Sequence, residues 1–195
     1  MRKILIIFAH PKFEHSHVNQ KLLQASSDLE NIQIRDLYEL YPDFNIDVQA
    51  EQELLIAADI LIWHHPIYWY AAPPLLKQWL DLVLEFGWAY GPGGVFLKGK
   101  YVFNCVSSGG TADAYSKEGR HGHTLKEFLL PFYQTAKLCN MPYLPPFHVG
   151  GTHKIQSQEL NDSAGKYRDL LVYLRDVPEI PEKLHALNDL SHFSL

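Results

Sequence analysis

Cysteine is scarce: Cys105 and Cys139 are the only two in 195 residues. They are too few and too far apart for a zinc motif or a disulfide framework, and each sits in an apolar context that reads as a buried thiol in a reducing compartment. Basic runs are missing as well, with 17 Lys and Arg against 22 Asp and Glu and a formal net charge of -5. Phosphate neutralisation needs clustered Lys and Arg, so this composition argues against a nucleic-acid groove. Long hydrophobic runs are also lacking. Ile4 to Ala9, after Met1-Arg2-Lys3, mimics a signal peptide, but the run is short and gives way to His10-Pro11, so it reads as a first strand. No other run approaches the roughly 20 apolar residues of a membrane span. Glycine is absent from the loop His10 to Asn19, so neither the dinucleotide fingerprint GxGxxG nor the Walker loop GxxxxGK[ST] is present. Rossmann-type nicotinamide binding and ordinary ATPase chemistry both lose ground.

What is present fits one globular domain: 47% hydrophobic residues with 20% charged ones. Short apolar runs at 3–9, 32–37, 59–65, 100–106 and 143–149 alternate with helical-period segments at about 16–28, 49–58, 73–86, 124–139 and 157–176. That alternation predicts an α/β fold, a flavodoxin-like, doubly wound, five-stranded parallel sheet of order 2-1-3-4-5 with helices on both faces. The domain is expected to span 1–176. Residues 177–195, opening on Val177-Pro178-Glu179-Ile180-Pro181, form a C-terminal extension whose Leu184, Leu187, Leu190 and Phe193 recur at threes and fours, the pattern of a short amphipathic helix laid either on its own domain or across a second subunit.

Three loops carry the chemistry. Ser107-Ser108-Gly109-Gly110 leaves an apolar strand, where ligands sit in open α/β sheets, and Tyr115 and His121 later in the same loop can donate hydrogen bonds or protons. The glycine-free first loop places Ser16 at a helix start, where unpaired amides and the helix dipole can hold a phosphate; alone, Ser16 would be an ordinary N-cap. The third, Pro66-Ile67-Tyr68-Trp69-Tyr70, has three consecutive aromatics that call for a planar ligand or a partner to cover them. The pairs His64/His65, His15/His17 and His121/His123 lack the cysteine or carboxylate that would complete a metal site, and none is expected. The aromatic-glycine segment Phe86 to Gly94 is expected near the same sheet edge.

Together these loops resemble the flavodoxin-like NAD(P)H:quinone oxidoreductases, small dimeric flavoproteins, through A-H-P-x-x-x-x-S-x-x-N, P-I-Y-W-Y-x-x-P-P-L-L-K and S-S-G-G with its later Tyr and His. The resemblance covers about 3–175. Within that family Leu37-Tyr38-Glu39-Leu40-Tyr41-Pro42-Asp43-Phe44 is similar to a segment of the ancillary subunits of glutathione-regulated potassium-efflux systems. The resemblance implies that His10, Ser16, Val18 and Asn19 hold the flavin phosphate and ribityl chain, that Pro66, Ile67, Tyr68, Trp69 and Tyr70 line the ring, and that Ser107, Ser108, Gly109 and Gly110 contact its polar edge. Tyr115 and His121 match the pair that assists hydride transfer. The family's long C-terminal part that helps hold the adenine half of FAD is absent, which favours FMN, with FAD as the alternative.

The implied reaction is two-electron, ping-pong transfer from NAD(P)H through the flavin to a quinone, and the implied assembly is a homodimer. Negative charge develops on the pyrimidine edge of the ring as hydride arrives, so donors placed there act on the transition state, and a histidine can take up and return a proton near neutral pH. Two other readings stand beside it. In one, the chain is a regulatory subunit of a membrane potassium/proton antiporter, cytoplasmic and held at the inner face of the membrane by that partner. In the other it is a flavodoxin-type electron carrier, which has no need of Tyr115 and His121.

Overall fold

Apolar residues alternate between two faces of every central strand, and this period of two builds the core. In the first strand Leu5 and Ile7, with Ala9 just beyond its end, enter one buried cluster while Ile4, Ile6 and Phe8 enter another on the opposite face. The computed structural model, which describes residues 1–194, arranges the chain as five parallel strands: β1 (Ile4–Phe8), β2 (Ile32–Asp36), β3 (Ile60–Pro66), β4 (Tyr101–Ser107) and β5 (Phe147–Val149), in the order 2-1-3-4-5. Register places Ile6 opposite Ile34 and Ile62, and Ile62 opposite Phe103. Helices α3 (Val48–Ala57), α4 (Pro74–Val83) and α6 (Leu130–Leu138) pack on one face; α1 (His17–Gln24) and α7 (Ser157–Asp176) pack on the other. The flavodoxin-like architecture expected from the alternating runs is the one found.

Three local expectations change. The helix expected over 124–139 is two pieces, α5 (Leu125–Phe128), opened by a Thr124/Glu127 capping box, and α6, with Pro131 in its first turn. Proline lacks the N–H that would continue the first helix, so the chain restarts there. The last strand is shorter than 143–149: Tyr143 makes only an isolated bridge to Val102, and Pro145-Pro146 delays the ladder to Phe147. Phe86 to Gly94 does not line the main cavity. Its Tyr90 instead lines a neighbouring cavity of about 530 Å³ together with Tyr70, Ala71 and Ala72 of the β3 loop, so the segment stays near the expected sheet edge but beside the main cavity.

The extension is not one helix but α8 (Glu182–His185) and a 3-10 turn at Leu190–His192. Ile180, Leu184, Leu190 and Phe193 are buried in the α1/α7 cluster, so the extension packs on its own domain. Short α2 (Leu37–Leu40) leads to Tyr41, whose hydroxyl donates to the fully buried Glu51 at 2.8 Å. Glu51 also accepts from Arg35 and from Trp79 Nε1, so the buried charge is both paired and hydrogen-bonded. Burial and this carboxylate push the Tyr41 phenol up to about 12.

Candidate functional site

The loops leaving β1, β3, β4 and β5 enclose a cavity of about 1010 Å³ at the C-terminal edge of the sheet. His10, Ser16 and Val18 line it from the first loop, and Pro66, Ile67, Tyr68, Trp69 and Tyr70 from the β3 loop. Ser107, Ser108, Gly109, Gly110, Tyr115 and His121 complete it from the β4 loop. Asn19 stands behind the wall, buried, and ties it together. Its amide donates to Ser16 Oγ at 2.8 Å and to Ser107 Oγ at 3.0 Å, and its carbonyl meets His64 Nε2 at 2.9 Å. The His64 contact requires the proton on Nε2, because an amide oxygen only accepts. Complete burial lowers the His64 pKa to about 3, which holds that imidazole neutral.

Ser16 is the N-cap of α1 yet makes no side-chain cap bond, so the first-turn amides stay open toward the cavity mouth. Among the described residues, Lys12 and Arg120 stand in the wall against Asp113 as its single carboxylate, so the cavity favours an anion although the chain as a whole is acidic. His10 Nδ1 accepts from Lys12 N at 3.2 Å, which leaves the proton on Nε2, 3.3 Å from the Tyr68 hydroxyl. Tyr68 therefore receives that bond and keeps its own proton free to donate. Burial lowers the His10 pKa, opposed by Glu14.

The aromatic wall is held by a tight turn. Tyr68 and Ala71 exchange backbone hydrogen bonds at 2.9 and 3.0 Å, and Trp69 and Tyr70 between them have φ of 49° and 65°. Left-handed backbone at two bulky residues costs on the order of 1–3 kcal/mol each, and such strain collects at functional sites. Trp69 is 94% exposed, so packing within this chain does not repay that cost.

The β4 loop folds back on itself. His121 N donates to Ala114 O at 3.1 Å, bringing the imidazole to 4.7 Å from the Tyr115 ring, centroid to centroid. Both rings press on Gly110: a Cβ there would lie 3.2 Å from Tyr115 Cε2 and 3.3 Å from His121 Nε2. Tyr70 closes the cluster, 5.4 Å from His121. The two halves of the segment Ser107 to His121 thus form one surface, with hydroxyls and bare backbone next to a phenol and an imidazole. A long planar group with an anionic tail fits this donor set: the α1 amides and Lys12 on the first loop, aromatic rings on the β3 loop, and hydrogen-bond donors with Arg120 on the β4 loop.

Thr152 and His153 also line the cavity, from the loop after β5, and were not anticipated. A Cβ on Gly109 would lie 2.8 Å from His153 Nε2, so the imidazole sits directly over that glycine. The sequence does carry a signal for them: Gly150-Gly151 follows the last strand on the same sheet edge. Lys12, Asp113 and Arg120 were likewise unassigned. Among the described residues no group of three or more His, Cys, Asp or Glu is placed to hold a metal ion, and no helix is long and apolar enough to cross a membrane.

A family model, Flavodoxin_2, described as a flavodoxin-like fold, matches residues 2–171. The chain belongs to this family. It is 44% identical over 174 residues, 89% of this chain and 98% of the relative, to the glutathione-regulated potassium-efflux system ancillary protein KefF of Salmonella schwarzengrund. Among solved structures, the general stress protein 14 of Treponema denticola, in complex with FMN, matches with a TM-score of 0.84 and 44% identity, covering 88% of this chain and 99% of that one. An NADPH-quinone reductase from P. pentosaceus matches with a TM-score of 0.79 and 30% identity over 86% of this chain and 96% of that one.

Proposed function

We propose that this chain is a flavin-dependent NAD(P)H:quinone oxidoreductase that holds FMN in the large cavity, with FAD as the alternative. The observation that carries the proposal is the folding of Tyr115 and His121 onto Gly110, which puts two donors beside the Ser107 to Gly110 loop. The FMN complex of the Treponema relative and the NADPH-quinone reductase relative support the cofactor and the reaction. When bound, the flavin supplies the hydride relay between nicotinamide and quinone.

In this reading the open amides of α1, with Ser16, His10 and Lys12, hold the phosphate, and Val18 and Asn19 shape the turn beneath it. Pro66, Ile67, Tyr68, Trp69 and Tyr70 line the ring, and Tyr68 offers the hydroxyl proton that the His10 contact leaves free. Ser107, Ser108, Gly109 and Gly110 receive the pyrimidine edge. Tyr115 and His121 would be the catalytic pair: their phenol and imidazole would supply hydrogen bonds where negative charge grows on the bound group, and His121 would take up and return a proton. The cavity volume of about 1010 Å³ is at the upper end of the ~300–1,000 Å³ typical of ligand pockets, which suits a second planar ligand beside the first. NAD(P)H and quinone then take turns in one place.

The deciding experiment is to release and weigh whatever the purified protein binds, then to mix the loaded protein rapidly with NADH or NADPH and follow bleaching near the flavin band, and reoxidation by a quinone. FMN on the protein and bleaching by a nicotinamide are expected. Protein that arrives empty and takes up neither FMN nor FAD would remove the reading.

The KefF relative favours a second role alongside catalysis, as an ancillary subunit of a potassium/proton antiporter that keeps this chain at the inner face of the membrane. Exposed Glu39, Leu40, Pro42 and Asp43 are then the contact candidates, since Leu37 and Tyr41 are buried. Retention of the chain by an antiporter in detergent, lost on substituting these residues, tests it. We further propose a homodimer, because Phe86, Val95 and Phe96 are exposed apolar side chains on one loop after α4. Sedimentation at micromolar concentration decides between monomer and dimer.

A further inference from the structure

Residues beyond 171 lie outside the matched family region, yet one of them, Asp189, bonds the strand that leads into a cavity loop. β5 is an edge strand of three residues, and an edge leaves backbone groups without partners. The extension supplies them: Leu190 N donates to Pro146 O at 2.8 Å, and the Asp189 carboxylate accepts from His148 N at 3.2 Å and from Ser191 N at 2.7 Å. The inner side of the same strand carries the cavity loop. Ser108 N donates to Val149 O at 3.0 Å, and Gly151 N donates to Gly110 O at 2.9 Å.

His148 joins the two sides. Ser108 Oγ gives its one proton to Gly110 O at 2.7 Å, so its 2.8 Å contact with His148 Nε2 is a donation from the imidazole. The result is a directed chain from His148 to Ser108 to Gly110. Tyr115 packs edge-on against the same imidazole, with centroids 5.5 Å apart at 86°. His148 does not itself line the cavity, so its effect there passes through Ser108, Gly110 and Tyr115.

We propose that Asp189 and His148 are positioning residues, through which the C-terminal extension sets the shape of the loop that receives the polar edge of the flavin. The inference rests on the flavin reading above. Removing the imidazole donor frees Ser108 to rotate, and removing the Asp189 acceptor frees the strand that carries His148. Truncating the extension is a poor test, because Leu184, Leu190 and Phe193 are buried in the core. Point variants of the full chain are the right ones.

Apoprotein is titrated with FMN by fluorescence quenching, the visible spectrum of the complex is recorded, and folding is checked by near-ultraviolet circular dichroism. His148→Phe keeps a ring without the donor and is expected to weaken FMN binding about tenfold and to shift the flavin absorption bands. His148→Gln, which returns an amide donor, is expected to recover most of both. Asp189→Ala is expected to weaken binding roughly three- to tenfold, whereas Asp189→Asn, which keeps the acceptor oxygen, stays within about twofold. Folded His148→Phe and Asp189→Ala proteins with the wild-type affinity and spectrum would overturn the inference while leaving the flavin reading intact. If His148→Phe does not fold, the contrast between Asp189→Ala and Asp189→Asn decides by the same two results. Wild-type apoprotein that binds no flavin would overturn the flavin reading, and this inference with it.

Discussion

Asn19 on α1 donates to the hydroxyl of Ser107 at the end of β4, 3.0 Å away across 88 residues of sequence. The same side chain holds Ser16 and meets His64, so one amide links the mouth, the floor and the far wall of the cavity. Asn19→Ala orphans the buried His64 donor and frees both hydroxyls. An unsatisfied buried donor costs about 1–3 kcal/mol. We expect a loss of that size in urea unfolding and an FMN affinity lower by about tenfold or more; unchanged affinity would remove Asn19 from the site.

Trp69 trades stability for display. Its φ of 49° and 94% exposure mean that the folded chain alone gains little from the indole. Trp69→Gly relieves a strain of about 1–3 kcal/mol against up to ~1 kcal/mol of added unfolded-state entropy. The apoprotein is expected to melt at the same temperature or higher, and to bind FMN more weakly by roughly tenfold. A lower melting temperature would mean that the turn is not strained in the way the dihedrals indicate.

His121 lies against Tyr115 and Tyr70, and among the described residues no buried hydrogen bond depends on its imidazole. His121→Ala is therefore expected to slow flavin reduction by NAD(P)H by about 10²-fold while flavin content stays at the wild-type level. Single-turnover mixing gives the rate and the absorbance ratio gives the content. A wild-type reduction rate would take His121 out of the mechanism.

Acid sensitivity follows from the buried histidines. Burial lowers His64 to about 3 and His65 to about 4, whereas in the unfolded chain each titrates near about 6.5. Below that value the unfolded state binds protons that the folded state refuses, so the stabilisation is complete above it and is lost as pH falls toward the folded values. The slope is up to ~1.4 kcal/mol per pH unit for each histidine. His10 and His148 act in the same direction. Asn104 donates to His65 Nε2 at 2.9 Å, so urea midpoints at pH 7, 6 and 5 should fall steadily, and His65→Gln, whose amide oxygen keeps an acceptor for Asn104, should flatten the decline. A midpoint constant across this range would contradict the burial of these rings as neutral species.

Much of the fold was legible. Strands such as Ile4–Phe8 declare themselves by length and apolarity, and α7 begins and ends where its periodicity does, at 157 and 176. Boundaries went astray where proline intervened, at Pro131 and at Pro145-Pro146, because a missing N–H breaks an element that apolar spacing would continue. Tyr41 shows another limit. Its motif is similar to one in the potassium-efflux ancillary subunits, a resemblance the KefF match bears out, yet its own hydroxyl is directed inward to Glu51, and a sequence does not state which way a side chain points.

The residue order by itself determined the sheet, its order and the loops that hold His10, Ser16, Tyr68, Ser107 and Gly110, because burial has a period and the ligand edge of an open α/β sheet follows from topology. The tertiary structure alone decided that His121 returns to Tyr115 over Gly110, that Asn19 bridges Ser16 and Ser107, and that Asp189 holds the strand behind Ser108. Those contacts join residues far apart along the chain. They are set by how loops close in space, for which local periodicity carries no information.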